Sequence, residues 1–354
     1  MKAAQITGFG TPDVLRVNEV DRPAPAAGEV LVSVGASSVN GHDTIVRAGG
    51  LKIVSGRRFP IGVGLDFAGV VVATGAGVRG VAEGDRVWGT VHPRERHVVG
   101  GAAEYVVVPA TRLGHVPSSL TSVEAAALVV GGVTALIALR DAVRVAVGER
   151  VLVRGAAGGV GSAAVQLAHA LGAHVTALAR DRHADVLRGL GADVVLDYGT
   201  AAAEGIGPFD AVVDTVGADL GRFRRRLAPG GRMVTVGLSP GGLVEIAASV
   251  VHGPRRIRAF SANPDTAVLD DLAGYVASGS LRPVVDGVFP LDGISSAHRA
   301  FERGGVVGKQ VVAVGSERGT SAATARALRA VPGTPGQSVP KIQRPASLAR
   351  SKLR

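Results

Sequence analysis

The chain has 354 residues, enough for two or three domains, and 46% of them are apolar, so large cores are possible; with aromatics at only 3%, those cores must be built from Val, Leu and Ala. There is no cysteine, which excludes disulfides, thiolate zinc sites, iron–sulfur ligation and a cysteine nucleophile. The formal net charge of +10 suggests an anionic partner, yet residues 317–354 hold eight Lys or Arg against one Glu, a net of +7, and the preceding 316 residues carry only +3. Dedicated nucleic-acid binding also needs aromatic side chains interleaved with basic ones, and is not expected.

The start, Met1-Lys-Ala-Ala-Gln-Ile, has neither the apolar core nor the cleavage pattern of a signal peptide, and glycine or charge interrupts the apolar runs. A cytoplasmic protein without a membrane span is expected. Apolar runs at 29–34, 69–73, 85–88 and 103–108, closely punctuated by Gly and Pro, predict an all-β unit over residues 1–121, a partly open barrel. Helical patterns follow at 122–128 and 132–139, with Ser122 as N-cap and Glu124 in the first turn.

The most informative stretch is Val151-Leu-Val-Arg-Gly-Ala-Ala-Gly-Gly-Val-Gly161, followed by a helical pattern at 162–171 and an apolar run at 174–178. A strand, glycine turn, helix and strand in about thirty residues is the context a dinucleotide fingerprint requires. The pattern is Ala156-x-Gly158-x-x-Gly161, with alanine in place of the usual first glycine. Ala157, Gly158, Gly159, Val160 and Gly161 are therefore candidates to receive a pyrophosphate at the amino end of the new helix. Further runs at 193–196, 209–214 and 231–237, alternating with helical patterns, predict a doubly wound α/β domain with a parallel sheet over 122–282. Arg256-Ile-Arg-Ala-Phe260 reads as its edge strand, and an open edge predicts a homodimer. Strands at 284–289 and 309–314, with a helix between them at 294–303, return to the first domain and complete it over 283–315. Residues 316–354, with four prolines and few large apolar residues, read as a basic, disordered extension.

NAD-preferring sites place an acid about twenty residues beyond the glycines, on the ribose hydroxyl. Here the second strand ends at Leu178-Ala-Arg180-Asp-Arg182-His183, without an acid at its tip. The Arg180 guanidinium suits a 2′-phosphate, so NADPH is the expected cofactor. Asp181 is the alternative, should the loop turn it toward the ribose.

Taken together, Gly10-Thr-Pro-Asp-Val-Leu15, Val39-Asn-Gly-His-Asp43, Gly84-Asp-Arg-Val87, the glycine turn, Leu190-Gly-Ala-Asp193, Leu281-Arg-Pro283 and Gly308-Lys309 make the chain resemble the medium-chain dehydrogenase/reductase superfamily, in its zinc-free quinone oxidoreductase branch. The resemblance covers roughly residues 1–315. It implies a GroES-like β-barrel catalytic domain, a Rossmann domain and an active site in the cleft between them. Zinc-dependent relatives place a Cys at Asn40 and a His-Glu pair at Leu65-Asp66, so no metal is implied here; His92 and His97, five apart, lack an obvious third ligand. The resemblance puts Asn40 and Asp43 at the nicotinamide end of the cleft, Asn40 to orient a substrate carbonyl. The residues themselves also allow Asn40 to be a turn residue closing a strand, and Asp43 to cap the next helical turn. His183 matches a lysine position that serves the phosphate, Tyr198 a tyrosine near the adenosine ribose, and Thr134, Gly237 and Lys309 other cofactor-lining positions. Relatives often carry a tyrosine at the position of Ile45, so the proton donor is left open. The implied activity is hydride transfer from NADPH to a quinone or α,β-unsaturated carbonyl. An enoyl-thioester reductase, or a nucleotide-binding protein without catalytic duty, is the alternative.

Overall fold

The computed structural model describes residues 1–50, 58–92, 99–199, 206–237, 239–251, 256–260 and 262–315. Strands β1 (Lys2–Ile6) and β2 (Leu15–Glu19) pair antiparallel, and β1 also pairs β4 (Ile61–Gly62), following β3 (Glu29–Ser38) and helix α1 (Gly41–Arg47). β3 is the hub of the barrel layer. β5 (Asp66–Thr74) runs along one edge, itself paired with β6 (Arg86–Thr90), whose other neighbour is β8 (Leu113–His115). The opposite edge of β3 is shared by β7 (Tyr105–Pro109) and, further along, the final strand. Alternation explains the packing: Val30, Val32 and Val34 point into one cluster with Phe67, Val87, Val106, Val108 and Leu113. Tyr105 lies on β7 with Arg22 stacked 4.1 Å from its ring centre.

Helix α2 (Ser122–Ile137) is capped one residue earlier than expected. Thr121, not Ser122, is the N-cap. Its hydroxyl accepts from the Glu124 amide at 3.3 Å, and the Glu124 carboxylate accepts from the Thr121 amide at 2.9 Å. The two expected helical stretches are one helix, because Gly131 and Gly132 continue it. A Cβ on Gly131 would lie 2.7 Å from the Gly159 carbonyl oxygen, so glycine there permits the close approach of α2 to the dinucleotide turn. Contrary to expectation, among the described residues one helix, Ser122–Ala142, is long and apolar enough to span a membrane; 78% of its apolar window is buried inside the protein. It is apolar all round because both layers pack on it.

The α/β layer is a six-stranded, all-parallel sheet of order β11-β10-β9-β12-β13-β14. The strands are β9 (Arg150–Arg154), β10 (His174–Ala179), β11 (Val194–Asp197), β12 (Phe209–Asp214), β13 (Leu227–Thr235) and β14 (Ile257–Ala259). Both faces are covered, which is why the strands read as continuous apolar runs. Val151 and Val153 pack toward α2 and α3 (Gly159–Ala170), whereas Leu152 packs with Leu220 and Phe223 of α5 (Leu220–Arg224), after α4 (Ala184–Gly189). α6 (Pro240–Val251) precedes the β14 edge and α7 (Thr266–Ala277) follows it. The chain then returns, with Gln166 of α3 donating to the Arg282 carbonyl (3.1 Å) and accepting from its amide (3.0 Å). β15 (Val285–Pro290), α8 (Ile294–Glu302) and β16 (Lys309–Ala313) complete the barrel layer, β16 running antiparallel to β3.

Candidate functional site

The turn after β9 meets the requirements of a dinucleotide cradle, each glycine for its own reason. Gly155 has φ +74°, and a Cβ there would meet Thr215 Oγ1 at 2.1 Å. It supplies the left-handed turn, so the alanine at 156 is tolerated. On Gly161 a Cβ would lie 2.1 Å from the Gly155 carbonyl oxygen, so glycine there sets the helix against the strand. Gly158, the N-cap of α3, has an ordinary φ of −72°, and a Cβ on it would meet nothing closer than 3.5 Å. The fold itself does not require glycine at 158. The open space fits a group that approaches the backbone from outside, at the positive end of the helix dipole. Val160 and Gly161 form the first turn, and Ala157 accepts from the Gly308 amide at 2.7 Å. Thr134 is buried on α2, one turn beyond Gly131. Gly237 packs on the Thr215–Gly217 backbone; a Cβ there would lie 2.5 Å from the Val216 carbonyl carbon. Tyr198 is 42% exposed, and its hydroxyl interacts with the Gly155 backbone.

Gly158 and Gly308 form a parallel bridge, which brings Lys309 across the turn. Its stem fills the space above Gly159, where a Cβ would be 2.3 Å from Lys309 Cδ. Its ammonium reaches the barrel layer, donating to the Val39 carbonyl (3.0 Å) and Asn40 Oδ1 (2.5 Å), and stands 4.0 Å from Asp66 Oδ2. Asp66 is fully buried and accepts from the Ser38 amide (2.7 Å), the Ser38 hydroxyl (2.6 Å) and Asn40 Nδ2 (3.1 Å). Burial raises the Asp66 pKa, opposed by the Lys309 charge and these hydrogen bonds. Burial likewise lowers that of Lys309, opposed by Asp66 and Asp43. Asn40 gives its other amide hydrogen to the Ser38 carbonyl (3.1 Å), and Asp43 Oδ2 accepts from the Asn40 amide (3.2 Å). Asn40 thus closes β3 and caps α1 while Asp43 completes the cap. Both side chains are buried, and Asn40 spends its amide hydrogens and its Oδ1 on groups within the protein.

At the rim, Arg180 is exposed at the end of β10 and has no ion pair among the described residues. Asp181 is held by its backbone, its amide donating to Asp197 Oδ2 at 2.7 Å. Arg182 reaches Gly305 of the returning segment, where a Cβ would clash with its Nη2, and its Nε lies 3.2 Å from His183 Nε2. His183 is buried, its pKa lowered by burial and by Arg182 and Arg180, with Asp286 opposing. Ile45 lies on α1, His92 has partners and His97 lies outside the described residues, as does the segment 316–354.

Sequence reasoning passed over His298, a fully buried residue on α8 with neither ring nitrogen hydrogen-bonded. Burial pushes its pKa down to about 4; the nearby Asp43 opposes this and Arg47 adds to it. A base whose folded pKa lies below its unfolded value of 6.5 destabilises the fold as pH falls, because the unfolded chain binds the proton first. Its share of stability is intact above pH 6.5, is lost through the window down to about 4 and is constant below. From pH 7 to pH 5 the loss amounts to roughly 2 kcal/mol. Urea midpoints of wild type and His298→Leu at both pH values measure it; equal slopes in the two proteins would show that His298 does not titrate this way.

Residues 26–118 match the family model described as alcohol dehydrogenase GroES-like domain, and residues 190–312 the one described as zinc-binding dehydrogenase. The human mitochondrial NAD(P)H oxidoreductase RTN4IP1 is 32% identical, the match covering 89% of each chain. The 2-methylene-furan-3-one reductase of Solanum lycopersicum is 34% identical over 88% of this chain and 79% of its own. The solved structure of the quinone oxidoreductase from Coxiella burnetii superposes with a TM-score of 0.81 at 33% identity, covering 89% of this chain and 99% of that one. The barrel layer, the parallel sheet and the glycine turn agree with these similarities: the chain belongs to the medium-chain dehydrogenase/reductase superfamily, with the quinone oxidoreductases of its zinc-free branch, and is an oxidoreductase of the nicotinamide-cofactor class.

Proposed function

We propose that this protein is a zinc-independent, NADPH-dependent reductase that transfers hydride to a quinone or an α,β-unsaturated carbonyl. The carrying observation is the commitment of the cleft floor. Where metal-dependent relatives hold a cysteine and a glutamate, this chain has Asn40 and Asp66, tied to Lys309 and Ser38 through hydrogen bonds that use the donors and acceptors a metal would need. An ammonium already supplies the positive charge beside the buried carboxylate. Without a Lewis acid, the substrate must itself be an electrophile. In quinones and enones the conjugated carbon accepts hydride, and hydrogen bonds can stabilise the resulting oxyanion. The tomato 2-methylene-furan-3-one reductase and the Coxiella quinone oxidoreductase fit the same class by name.

Bound NADPH would supply the hydride. The turn 155–161 would hold its pyrophosphate, and Thr134, Tyr198 and Gly237 would line its length. Arg180 would meet the 2′-phosphate, with His183 behind it. Asn40, Asp43 and Lys309 would hold the nicotinamide end in place as positioning groups. In this reading residues 1–121 with 283–315 are the catalytic domain and 122–282 the nucleotide domain. A cytoplasmic setting, compatible with a chain free of cysteine, belongs to it too. So does a homodimer through the β14 edge, beside which α6 exposes Leu243, Val244 and Val250; light scattering at micromolar concentration returning the mass of one chain would remove the dimer.

The deciding experiment is NADPH oxidation over quinones, enones and enoyl thioesters, with and without a chelator. Turnover of quinones or enones, unchanged by the chelator, is expected. Loss of activity to the chelator and its return with zinc would overturn metal independence. Turnover of thioesters only would move the substrate to that class, and binding without any turnover would leave a nucleotide-binding protein without catalytic duty.

A further inference from the structure

Two charged residues end apolar strands deep in the α/β layer. Arg154 follows Val151-Leu-Val153 on β9, and Asp214 follows Ala211-Val-Val213 on β12, the two being register partners. Their side chains are 8% and 0% exposed, and Arg154 Nη1 lies 2.9 Å from Asp214 Oδ1. The guanidinium also donates to the Ala218 carbonyl and stacks 4.3 Å from the Phe223 ring centre, while its Nε has no partner. Asp214 Oδ2 accepts from the Gly217 amide at 2.7 Å and lies 2.8 Å from Thr235 Oγ1, which is 2.9 Å from the Gly237 carbonyl oxygen. The Thr215 hydroxyl donates to the Arg154 carbonyl (2.9 Å), and the Ser239 hydroxyl to the Gly217 carbonyl (2.6 Å).

These bonds join three connections at the carboxyl end of the sheet: the glycine turn after β9, residues 215–219 after β12 and, after β13, residues 236, 237 and 239. Ligands of open α/β sheets bind at this end. The turns touch without slack, since a Cβ on Gly155 would strike Thr215 and one on Gly237 would strike Val216 and Gly217. A well-packed apolar pair would serve stability as well as a buried ion pair does, or better. An apolar pair lacks directional bonds to Ala218, Gly217 and Thr235.

We propose that Arg154 and Asp214 are a positioning pair for the nicotinamide nucleotide. They set the spacing of the three turns that form its cradle, and neither touches it. The inference rests on the nucleotide occupying this cradle, with or without a 2′-phosphate. NADPH and NADH dissociation constants, read by fluorescence titration, should therefore rise together, by about ten- to a hundredfold, in Arg154→Met/Asp214→Leu, the size of effect that misplaced supporting groups produce. Thermal stability of that double variant should match wild type. Amide hydrogen exchange at Gly155–Gly158 and Gly217 should quicken.

Should the double variant fold poorly, Thr235→Val removes one link and should still raise both constants, about threefold, as loss of a single hydrogen bond does. Arg154→Lys, which keeps the charge, should bind more tightly than Arg154→Met. Wild-type affinity in the double variant and in Thr235→Val would overturn the proposal, as would weakened binding that tracks lost stability and recovers on cooling. A wild type that binds neither nucleotide would overturn the cradle itself. A rise for NADPH only would place the pair at the phosphate and overturn the shared-cradle role.

Discussion

Lys309→Met should cost about 3–5 kcal/mol of stability, the loss typical when one partner is removed from a buried ion pair. The ammonium is almost wholly buried and holds two layers together through Val39 and Asn40, while its charge is the counter-ion of a fully buried carboxylate. With the lysine gone, Asp66 keeps its bonds from Ser38 and Asn40 but loses the one positive group that opposes its desolvation. Its carboxyl pKa rises further, so the variant should recover stability as pH falls and Asp66 takes up a proton. Lys309→Met/Asp66→Asn removes the stranded charge and should regain most of the loss; contacting residues of this kind are strongly non-additive. Chemical denaturation of the four proteins of the cycle gives the coupling directly. A single-variant loss below about 1 kcal/mol, the range of an exposed pair, would mean that Lys309 is not the counter-ion of Asp66.

Arg180→Ala should weaken NADPH binding by about ten- to a hundredfold and leave NADH nearly unchanged, the worth of hydrogen bonds to a charged group being roughly 1.5–3 kcal/mol. The structure sharpens this expectation. Of the neighbours that could have compensated, Arg182 is directed toward Gly305 of the returning segment, and His183 is buried, its pKa held down by burial and by the two arginines. Asp197, the register partner of Ala179 on β11, accepts from the amides of Asp181 and Gly199. Both arginines are exposed, but Arg182 reaches across to Gly305, which leaves Arg180 as the candidate at the rim. The ratio of the two dissociation constants in wild type and variant tests it. A wild-type preference for NADH, or a ratio that does not move, would transfer the assignment to Asp181.

What could be read without coordinates followed from local rules. The period-two runs of the barrel layer, the apolar runs of the parallel sheet and the glycine turn are each set by neighbours within a few residues, and they appeared where expected. The cap of α2 was displaced by one residue because Thr121 and Ser122 are chemically equivalent candidates, and only the three-residue spacing to Glu124 chooses between them. The helical patterns at 122–128 and 132–139 are one helix, in which Gly131 allows close packing on Gly159.

The site divides along the same line. The glycine turn proposed to cradle a dinucleotide was legible because its geometry lies in one continuous stretch. The roles of Asn40 and Asp43 were not, since an amide or a carboxylate serves a substrate or a cap equally well; the arrival of Asp66 and Lys309 from 26 and 269 residues away turned Asn40 inward. His298, Arg154 and Asp214 carried one local signal, a polar group among apolar neighbours, which says that a partner is needed but not which one. The sequence by itself determined the elements, the fold class and the glycine turn, because those depend on periodicity and backbone freedom. Tertiary structure decided how the buried charges pair and which polar groups face the cleft, because a buried charge is stabilised by whatever the fold brings within about 3 to 4 Å, at any distance along the chain.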